Sequence, residues 1–322
     1  HGAPLGADEL QGAKLALGWP AESSFYIPDD VREYFRRALP RGKKSERQWQ
    51  KEFQKYKEAD PQLFAEFSRI ISGELPADWE TALSPFPAGS KDVATRKASE
   101  TIMQALAAKI PEMAGGSADL NPSTFTWLKN CGDFQSPATS PQGLHGMVGG
   151  DWNYLGRNIH FGVREHAMGS IAVGLALHGG VIPYTATFLT FADYMRPPMR
   201  LAALMGLRVI FIFTHDSIGV GEDGPTHQPI EQIMNMRQVP NLTVIRPADA
   251  NEVMEAWRIA LSKTNGPTVL VFSRQNLPVL DRAVCAPAAN TRQGGYILWE
   301  SASQPDLILI ATGSEVAVTL AA

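Results

Sequence analysis

A glutamate stands where an apolar segment runs into a helix of small residues. In FGVREH, residues 161–166, Glu165 follows the apolar run IHF and precedes AMGSIAVGLALHGG. Withdrawing an unpaired carboxylate from water costs several kcal/mol, unless the group takes up a proton. Two interpretations therefore compete. Either the carboxylate is held structurally, by Arg164 or by a helix N-terminus, or it carries out acid–base chemistry.

The richest polar stretch is THDSIGVGEDGPTHQP, residues 214–229, directly after an apolar strand. Its glycines would let the backbone approach a ligand closely, and imidazoles there can relay protons or bind oxyanions. A turn-rich loop with ordinary hydrogen-bonded histidines is an equally good interpretation. A metal site is disfavoured, because His215 and His227 do not share a helical face and no third ligand stands at a useful spacing.

Two further sets of residues could contact a ligand. Phe188, Phe191 and Tyr194 are three apart at a strand end and a helix start, which is also typical of an ordinary core stripe. Candidates for anion contacts are Arg96, Ser123 and Arg274, since a planar guanidinium suits a phosphate. Each of these is weak by itself, because most arginines simply lie at the surface.

These residues must be positioned by elements that alternate from Lys91 onward. The pattern predicts helices over 91–110, 165–179, 191–206, 229–237 and 250–263, and strands over 159–163, 181–189, 208–215, 242–247 and 267–274, with GGSADL, 115–120, as a glycine-rich turn. Apolar strands that alternate with helices indicate an α/β fold, a parallel sheet with helices on both faces. Ligands bind at the carboxyl ends of such strands. Those ends carry Arg164–Glu165, Thr187–Phe188, Thr214–Asp216 and Ser273–Arg274.

The flanking segments differ in character. Residues 1–90 have a polar, helical pattern with a basic stretch from Arg32 to Lys57, which we interpret as a solvated helical arm. Residues 276–304 are a linker, and DLILIATGSEV, from Asp306, predicts the strand, turn and helix that start another α/β unit. Since the first residue is His1 and the last lies within a predicted helix, we expect the chain to be a piece of a larger protein.

Composition excludes several classes of partner. The chain has 322 residues, of which 44% are apolar, and a net charge of −4, which argues against nucleic acid or an anionic membrane as the main partner. Its apolar runs are shorter than the ~20 residues that cross a bilayer. Cys131 and Cys285 are far apart, which fits a reducing, cytoplasmic compartment without a disulfide framework or a zinc site.

Six motifs, in this order and spacing, carry a resemblance. HGAPLG, GGSADL, FGVREH, YTATFLTFADY, THDSIGVGEDGPTHQP and SRQNL resemble the transketolase family of thiamine-diphosphate enzymes, over essentially the whole chain. The resemblance implies that residues 1–90 are the end of a first, diphosphate-binding domain with a helical linker. Residues 91–275 would be the pyrimidine-binding domain, and residues 305–322 the start of a third domain.

The resemblance also implies how the cofactor is held. Glu165 would hydrogen-bond N1′ of the aminopyrimidine, where a carboxyl group withdrawn from water keeps its proton and can donate it. That donation favours the 4′-imino tautomer and formation of the nucleophilic ylid. Phe188, Phe191 and Tyr194 would line the pyrimidine pocket, and Asp119 would lie near it.

On the substrate side, the resemblance assigns four residues to a sugar phosphate: Arg96, Ser123, His215 and Arg274. Asp223 would bind the hydroxyl next to the carbonyl, His227 would lie near the reacting carbonyl, and His1 beside the transferred two-carbon unit. The implied reaction is the reversible transfer of a glycolaldehyde group from a ketose phosphate to an aldose phosphate, as in the pentose phosphate pathway.

One departure from the family matters. Transketolases bind the diphosphate and Mg²⁺ through a Gly-Asp-Gly…Asn motif in the first domain, across the interface of a homodimer, and this chain has no such motif. We therefore expect it to hold half of the cofactor pocket, with no metal ligand of its own, and to be inactive by itself. The alternatives are dihydroxyacetone synthase, deoxyxylulose-phosphate synthase, or a non-catalytic dimerisation module.

Overall fold

The computed structural model describes residues 2–139, 149–301 and 304–322. The chain divides into two compact units, residues 1–67 and 68–322. The helical pattern predicted for the first ninety residues is confirmed. Its helices are α1 (Ala7–Ala16), α2 (Asp29–Arg36), α3 (Ala38–Ala59) and α4 (Pro61–Ser72), the last of which runs past the division between the units.

Aromatic side chains join α3 to α4 within the first unit. The rings of Trp49 and Phe53 stack with centroids 4.6 Å apart, and Phe53 lies 4.8 Å from Phe64. Tyr56 lies 6.0 Å from the same Phe64 ring. The helical spacing of the three aromatic residues on α3 therefore serves packing, while the basic residues between them face solvent, as predicted.

The second unit is an α/β domain. Its remaining elements are β1 (Val93–Ala94), α5 (Thr95–Lys109), β2 (Met113–Ser117), α6 (Asn121–Thr124), β3 (Asp133–Phe134), β4 (Trp152–Asn153), α7 (Glu165–His178), β5 (Ile182–Phe188), α8 (Ala192–Leu204), β6 (Ile210–Thr214), α9 (Gln232–Arg237), β7 (Thr243–Ile245), α10 (Ala250–Ser262), β8 (Thr268–Phe272), β9 (Asn276–Leu277) and α11 (Glu315–Ala321). Five strands form one sheet in the order β2-β5-β6-β8-β7, and every pair is parallel. The predicted parallel sheet is confirmed.

Helices cover both faces of this sheet with apolar contacts. One buried cluster joins α5 and α10 to the sheet, and a second joins α7 and α8 to its other side. Along β6, Ile210 and Ile212 belong to the first cluster, and Phe211 and Phe213 to the second. All four side chains are fully buried, because both faces of a parallel sheet are covered. No helix in the described ranges is long and apolar enough to cross a membrane.

The turn predicted at GGSADL is partly wrong, since Gly115 and Gly116 lie inside the edge strand β2. A Cβ atom on Gly115 would lie 2.0 Å from the carbonyl oxygen of Tyr184, and one on Gly116 would lie 2.0 Å from that of Ile159. The two glycines are therefore needed because neighbouring backbones approach β2 closely, not because the chain turns there.

The strand predicted over 159–163 is also wrong. Just before the segment, Asn158 makes isolated bridges to Gly115 and Asp133, and the backbone then turns at Gly162, whose φ is +69°. Side-chain hydrogen bonds hold this part of the chain where a strand would use backbone pairing. The Asn158 amide binds backbone groups of Leu128 and Gly132. Residues 159–163 are therefore an irregular segment that leads into α7.

The strand predicted from Asp306 does not form in residues 304–322. Leu307, Ile308, Leu309 and Ile310 are all exposed, and they have no neighbouring strand in the described part of the chain. A strand needs a paired edge as well as an apolar sequence. The helix predicted after it does form, as α11.

Two further pairs of short strands lie outside the main sheet. β1 pairs with β9 in antiparallel register, and β3 pairs with β4 in parallel register. The helix predicted over 91–110 begins only at Thr95, because Val93 and Ala94 form β1. The predicted linker 276–304 is anchored to α10, because Arg282 donates to Asp249 at 2.7 Å and the Tyr296 hydroxyl donates to Glu252.

The close backbone contact at Gly116 yields a stability prediction. We expect Gly116→Ala to lower the free energy of unfolding by about 1–3 kcal/mol, because its new methyl group has no room against the Ile159 carbonyl. The matched control is Gly174→Ala in α7, where a Cβ meets no atom within 4 Å. There the better helix propensity of alanine should stabilise the protein by up to about 1 kcal/mol. Urea unfolding of both variants measures this, and equal effects would contradict it.

Candidate active site

The parallel register brings four strand ends to the same edge of the sheet. Ser117 of β2 pairs with Ala186 of β5, and Phe188 of β5 pairs with Thr214 of β6. Thr214 in turn pairs with Phe272 of β8. The residues that follow these strands therefore lie side by side, at the edge where α/β proteins bind ligands.

Glu165 is the first residue of α7 and is only 8% exposed. The Thr187 hydroxyl, on β5, donates to its carboxylate at 3.4 Å. The adjacent Arg164 guanidinium donates to the Phe161 carbonyl at 2.9 Å. Within residues 2–139, 149–301 and 304–322 Glu165 forms no ion pair, so the interpretation as a salt bridge with Arg164 is wrong. The other structural interpretation, a place at a helix N-terminus, agrees with the position of Glu165 at the start of α7, and the hydrogen bond from Thr187 leaves the carboxyl group free for a further partner.

Aromatic rings gather around the end of β5, where Phe188 directly follows the Thr187 that binds Glu165. The ring of Phe188 stacks with that of Phe191 at 6.0 Å, and the His215 ring lies 3.7 Å from Phe188. His227 meets Phe191 edge-on at 5.3 Å, and Tyr194 lies 6.1 Å from Phe191. Phe188 is 7% exposed and Tyr194 is 63% exposed, so the rings run from the core to the surface rather than forming a core stripe.

His215 directly follows β6 and is 3% exposed. Its φ of +61° is uncommon for a residue with a side chain. Its Nδ1 lies 2.9 Å from the Thr214 hydroxyl, and its Nε2 lies 4.0 Å from a carboxylate oxygen of Asp223. Burial, followed by the positive charges of Arg96 and Arg274, lowers the pKa of His215 to about 3. At neutral pH this imidazole is therefore uncharged and acts as a hydrogen-bonding group.

Two guanidinium groups share this region with Asp223. Arg96 lies in the first turn of α5 and donates to the Ser123 carbonyl at 2.6 Å, while its Nε is buried without a partner in the described part of the chain. Burial, followed by the charge of Arg274, lowers the pKa of Arg96, and Asp223 opposes this. Arg274, two residues past β8, has its guanidinium 3.7 Å from Glu222. Two neighbouring cations with spare donors form a suitable site for an anion.

The structure gives less support to the remaining predicted site residues, Ser123, Asp119 and His1. Ser123 joins the arginines through its backbone carbonyl rather than its hydroxyl. Asp119 lies two residues past β2, exposed, with a φ of +63°. His1 lies outside the described residues. The structure therefore brings together Glu165, Phe188, Phe191, Tyr194, His215, His227, Arg96, Arg274 and Asp223, and leaves Asp119 at the rim.

Sequence reasoning missed an ion pair behind the His215 turn. The Asp216 side chain is buried, and Arg246 Nε donates to it at 2.8 Å. Burial raises the pKa of Asp216, and Arg246 opposes this. Arg246 also binds Thr312, Ser314 and Glu315, so it joins the turn after β6 to the start of α11. Since Arg246 directly follows β7, the rule of strand ends could have identified it.

No cluster of three or more His, Cys, Asp or Glu side chains suited to a metal ion occurs among the residues with described positions. The polar groups of the site are instead one carboxyl, two imidazoles and two guanidinium groups beside a carboxylate. This set can bind an anion and can exchange a proton with an aromatic base.

Comparison with known proteins identifies the family. The family model of the transketolase pyrimidine-binding domain matches residues 91–279, more than half of the chain. The chain belongs to the transketolase family. The model of the transketolase thiamine-diphosphate-binding domain matches residues 1–76.

Transketolases of several organisms are similar over the whole chain. Those of Aquifex aeolicus and Bacillus subtilis are 45% and 46% identical to it, over 100% of the chain and 44% and 46% of their own lengths. A solved transketolase from Pichia stipitis in complex with sedoheptulose 7-phosphate is 41% identical, with a TM-score of 0.88, and covers 99% of this chain and 45% of its own. Transketolase from Leishmania mexicana has a TM-score of 0.78 at 42% identity, over 92% of this chain and 41% of its own. The chain thus spans about half the length of these relatives.

The depressed pKa of His215 predicts a pH dependence of stability. In the unfolded chain His215 binds a proton below about 6.5, whereas in the folded protein it does so only below about 3. Its contribution to stability is therefore present above pH 6.5 and is lost as the pH falls toward 3, at up to ~1.4 kcal/mol per pH unit.

We expect the free energy of unfolding to fall by about 2 kcal/mol more in the unsubstituted protein than in His215→Gln when the pH is lowered from about 7.5 to about 5. Urea unfolding at the two pH values measures this difference. Parallel losses in the two proteins would show that His215 is protonated in the folded state.

Proposed function

We propose that this chain supplies the pyrimidine-binding half of a transketolase active site. The reaction is the reversible transfer of a glycolaldehyde group from a ketose phosphate to an aldose phosphate. The observation that supports it most is the meeting, at one sheet edge, of a buried carboxyl group, a group of aromatic rings and two guanidinium groups. The solved Pichia stipitis relatives in complex with sedoheptulose 7-phosphate and xylulose 5-phosphate support the substrate class.

The described residues fit the aminopyrimidine of thiamine diphosphate. Phe188, Phe191 and Tyr194 offer rings on which a flat heterocycle packs, and Glu165 is a carboxyl group beside them for a ring nitrogen. When bound, thiamine diphosphate supplies the nucleophilic carbon that attacks the donor carbonyl. We propose that the diphosphate and Mg²⁺ are held by the other half of the site, in the first domain of a partner subunit.

Glu165 holds and moves the proton at the pyrimidine N1′ atom. The carboxyl group is buried, so little water competes with the ring nitrogen for it. The Thr187 hydroxyl donates to the carboxyl group and fixes its orientation. When Glu165 shares its proton with N1′, the basicity of the amino group on the opposite side of the pyrimidine changes. Phe188 and Phe191 exclude water from this exchange.

The substrate phosphate binds to Arg96, Arg274 and His215. Each guanidinium provides charge-assisted hydrogen bonds, worth about 1.5–3 kcal/mol each. His215 is neutral and therefore adds a hydrogen bond without adding to the repulsion between the arginines. The Ser123 backbone fixes Arg96 from behind.

The sugar chain lies between the phosphate and the aromatic rings. We assign Asp223 to the hydroxyl next to the carbonyl, since its carboxylate lies 4.0 Å from His215 Nε2 and its charge acts on Arg96. His227 lies against Phe191 and is assigned to the reacting carbonyl. His1 would contact the transferred unit, and Asp119 would contact the cofactor from the rim.

The wider assignments follow from the same proposal. Residues 91–275 act as the pyrimidine-binding domain, after the end of the first domain in 1–90, and the matched family ranges support this division. Residues 276–304 are the linker, and 305–322 begin the third domain. The working protein is a cytoplasmic homodimer in the pentose phosphate pathway, with its active site between subunits.

The first test of this function is Glu165→Gln in the full-length protein that the gene encodes. An amide cannot exchange the proton, so we expect turnover to fall by at least about 100-fold while the thermal midpoint changes little. The control is Glu9→Gln, at an exposed glutamate in the first turn of α1. Turnover in Glu165→Gln equal to that of the control would remove Glu165 from the mechanism.

The second test separates phosphorylated from unphosphorylated substrates. We expect Arg274→Ala to raise the KM of an aldose phosphate by about 10-fold or more, since it removes a charge-assisted contact, and to leave the KM of an unphosphorylated acceptor within about 2-fold. The control is Arg292→Ala, at an exposed arginine of the linker. If both kinds of acceptor lose equally, Arg274 does not bind the phosphate.

A further inference from the structure

Each of the two phosphate-site arginines directly follows a buried hydroxyl residue. Thr95 precedes Arg96 and is 0% exposed, and Ser273 precedes Arg274 and is 1% exposed. The two hydroxyl residues come from segments 178 positions apart in the chain. From the sequence, Ser273 was noted only as part of a strand end and Thr95 was not noted, because a single threonine or serine at an element boundary does not indicate a role.

Thr95 and Ser273 bind each other reciprocally. The Ser273 N–H donates to the Thr95 hydroxyl at 2.7 Å, and the Thr95 N–H donates to the Ser273 hydroxyl at 3.0 Å. The Thr95 hydroxyl also donates to that of Ser273 at 3.1 Å, which donates in turn to the Gln275 carbonyl at 2.9 Å. Both hydroxyl groups and both backbone N–H groups donate a hydrogen bond, so the geometry of the group is tightly specified.

The strand pairing next to this group is short. β1 and β9 have two residues each, with Val93 opposite Leu277 and Ala94 opposite Asn276. The Asn276 side chain accepts from the Ala94 N–H at 3.1 Å. The start of α5 and the end of β8 are therefore held together at this point by few hydrogen bonds, among which the reciprocal set of Thr95 and Ser273 is the most buried.

The arginines themselves provide no such attraction. Burial, followed by the positive charge of Arg274, lowers the pKa of Arg96, and the second of these effects is repulsion between the two guanidinium groups. The opposing carboxylates are Asp223, and Glu222 at 3.7 Å from Arg274, and the Glu222 side chain is largely exposed. The Ser123 carbonyl holds the Arg96 guanidinium, and the positions from which both arginines extend are set by the backbones at Thr95 and Ser273.

We propose that Thr95 and Ser273 are positioning residues of the phosphate site. Their reciprocal hydrogen bonds fix the two backbones so that Arg96 and Arg274 face one phosphate group before it binds. The proposal rests on the proposed function, because it assumes that the arginines bind a phosphate. A site organised in advance loses less entropy on binding, so the effect belongs to the affinity for phosphorylated substrates rather than to the chemical step.

The test compares Ser273→Ala with Ser99→Ala in the full-length protein. Ser99 is a matched control, one turn after Arg96 on α5, since its hydroxyl is also buried but accepts from the Trp257 indole at 2.9 Å rather than binding Ser273. We expect Ser273→Ala to raise the KM of an aldose phosphate by about 10-fold, as for a buried donor that loses its acceptor. Its kcat, and its KM for an unphosphorylated acceptor, should change less than about 2-fold.

Conservative variants of Thr95 sharpen the result. Thr95→Ser keeps the hydroxyl and should retain the KM of the unsubstituted protein, while the isosteric Thr95→Val should reproduce the effect of Ser273→Ala. If Ser273→Ala does not fold, Thr95→Val tests the positioning role instead. Equal KM changes for phosphorylated and unphosphorylated acceptors, or the same change in Ser99→Ala, would overturn the proposal.

Arg274→Ala in the same assay separates this proposal from the function on which it rests. If Arg274→Ala shows no preference between the acceptors, the phosphate site itself is wrong. If Arg274→Ala does discriminate and neither Ser273→Ala nor Thr95→Val does, the phosphate site stands and the positioning role is overturned. Inhibition by inorganic phosphate gives an independent readout, and we expect it to weaken about 10-fold in Ser273→Ala and to be unchanged in Ser99→Ala.

Discussion

The parallel register of β5, β6 and β8 is the constraint on which the rest of the site depends. Because Phe188, Thr214 and Phe272 are paired at the same level, the residues that follow them reach one edge of the sheet together. Both faces of these strands are buried under helices, so a shift of register would expose apolar side chains. The stability of the core and the position of the site are therefore set by the same hydrogen bonds and contacts.

Much of this fold could be predicted from the alternation of apolar strands and amphipathic helices between residues 165 and 274. The failures have physical causes. At GGSADL the glycines reflect the approach of Tyr184 and Ile159 from elsewhere in the chain, which local sequence cannot show. At 159–163 and 306–310 an apolar run predicted a strand, but strand formation depends on a paired edge.

The candidate site divides in the same way. Residue types at strand ends indicated Phe188, His215 and Arg274, because the rule for parallel sheets needs only the order of the elements. Glu165 was indicated by its residue type at the start of a helix of small residues, since the strand predicted before it does not form. Contacts between distant segments could not be predicted, as for the Thr187 hydroxyl on Glu165. Such contacts depend on side-chain geometry that emerges only when helices and strands have packed.

The two ends of the site differ in charge. The carboxyl group of Glu165 is buried beside the Thr187 hydroxyl at the end of β5, whereas Arg96 and Arg274 lie near His215, after the end of β6. The lowered pKa of His215 leaves its imidazole neutral, so positive charge in this part of the site is concentrated on the two guanidinium groups. Such a gradient suits a substrate with an anionic end and a reacting end that needs a dry, proton-exchanging environment.

The central claim is that Glu165 faces the pyrimidine of thiamine diphosphate. The most direct measurement is a crystal structure of the full-length protein with thiamine diphosphate, Mg²⁺ and a ketose phosphate. We predict that a Glu165 carboxyl oxygen lies about 2.5–3.0 Å from N1′ of the aminopyrimidine, the range of a strong hydrogen bond. A pyrimidine bound away from Glu165, or N1′ bonded to another group with the Glu165 carboxyl turned aside, would contradict the account.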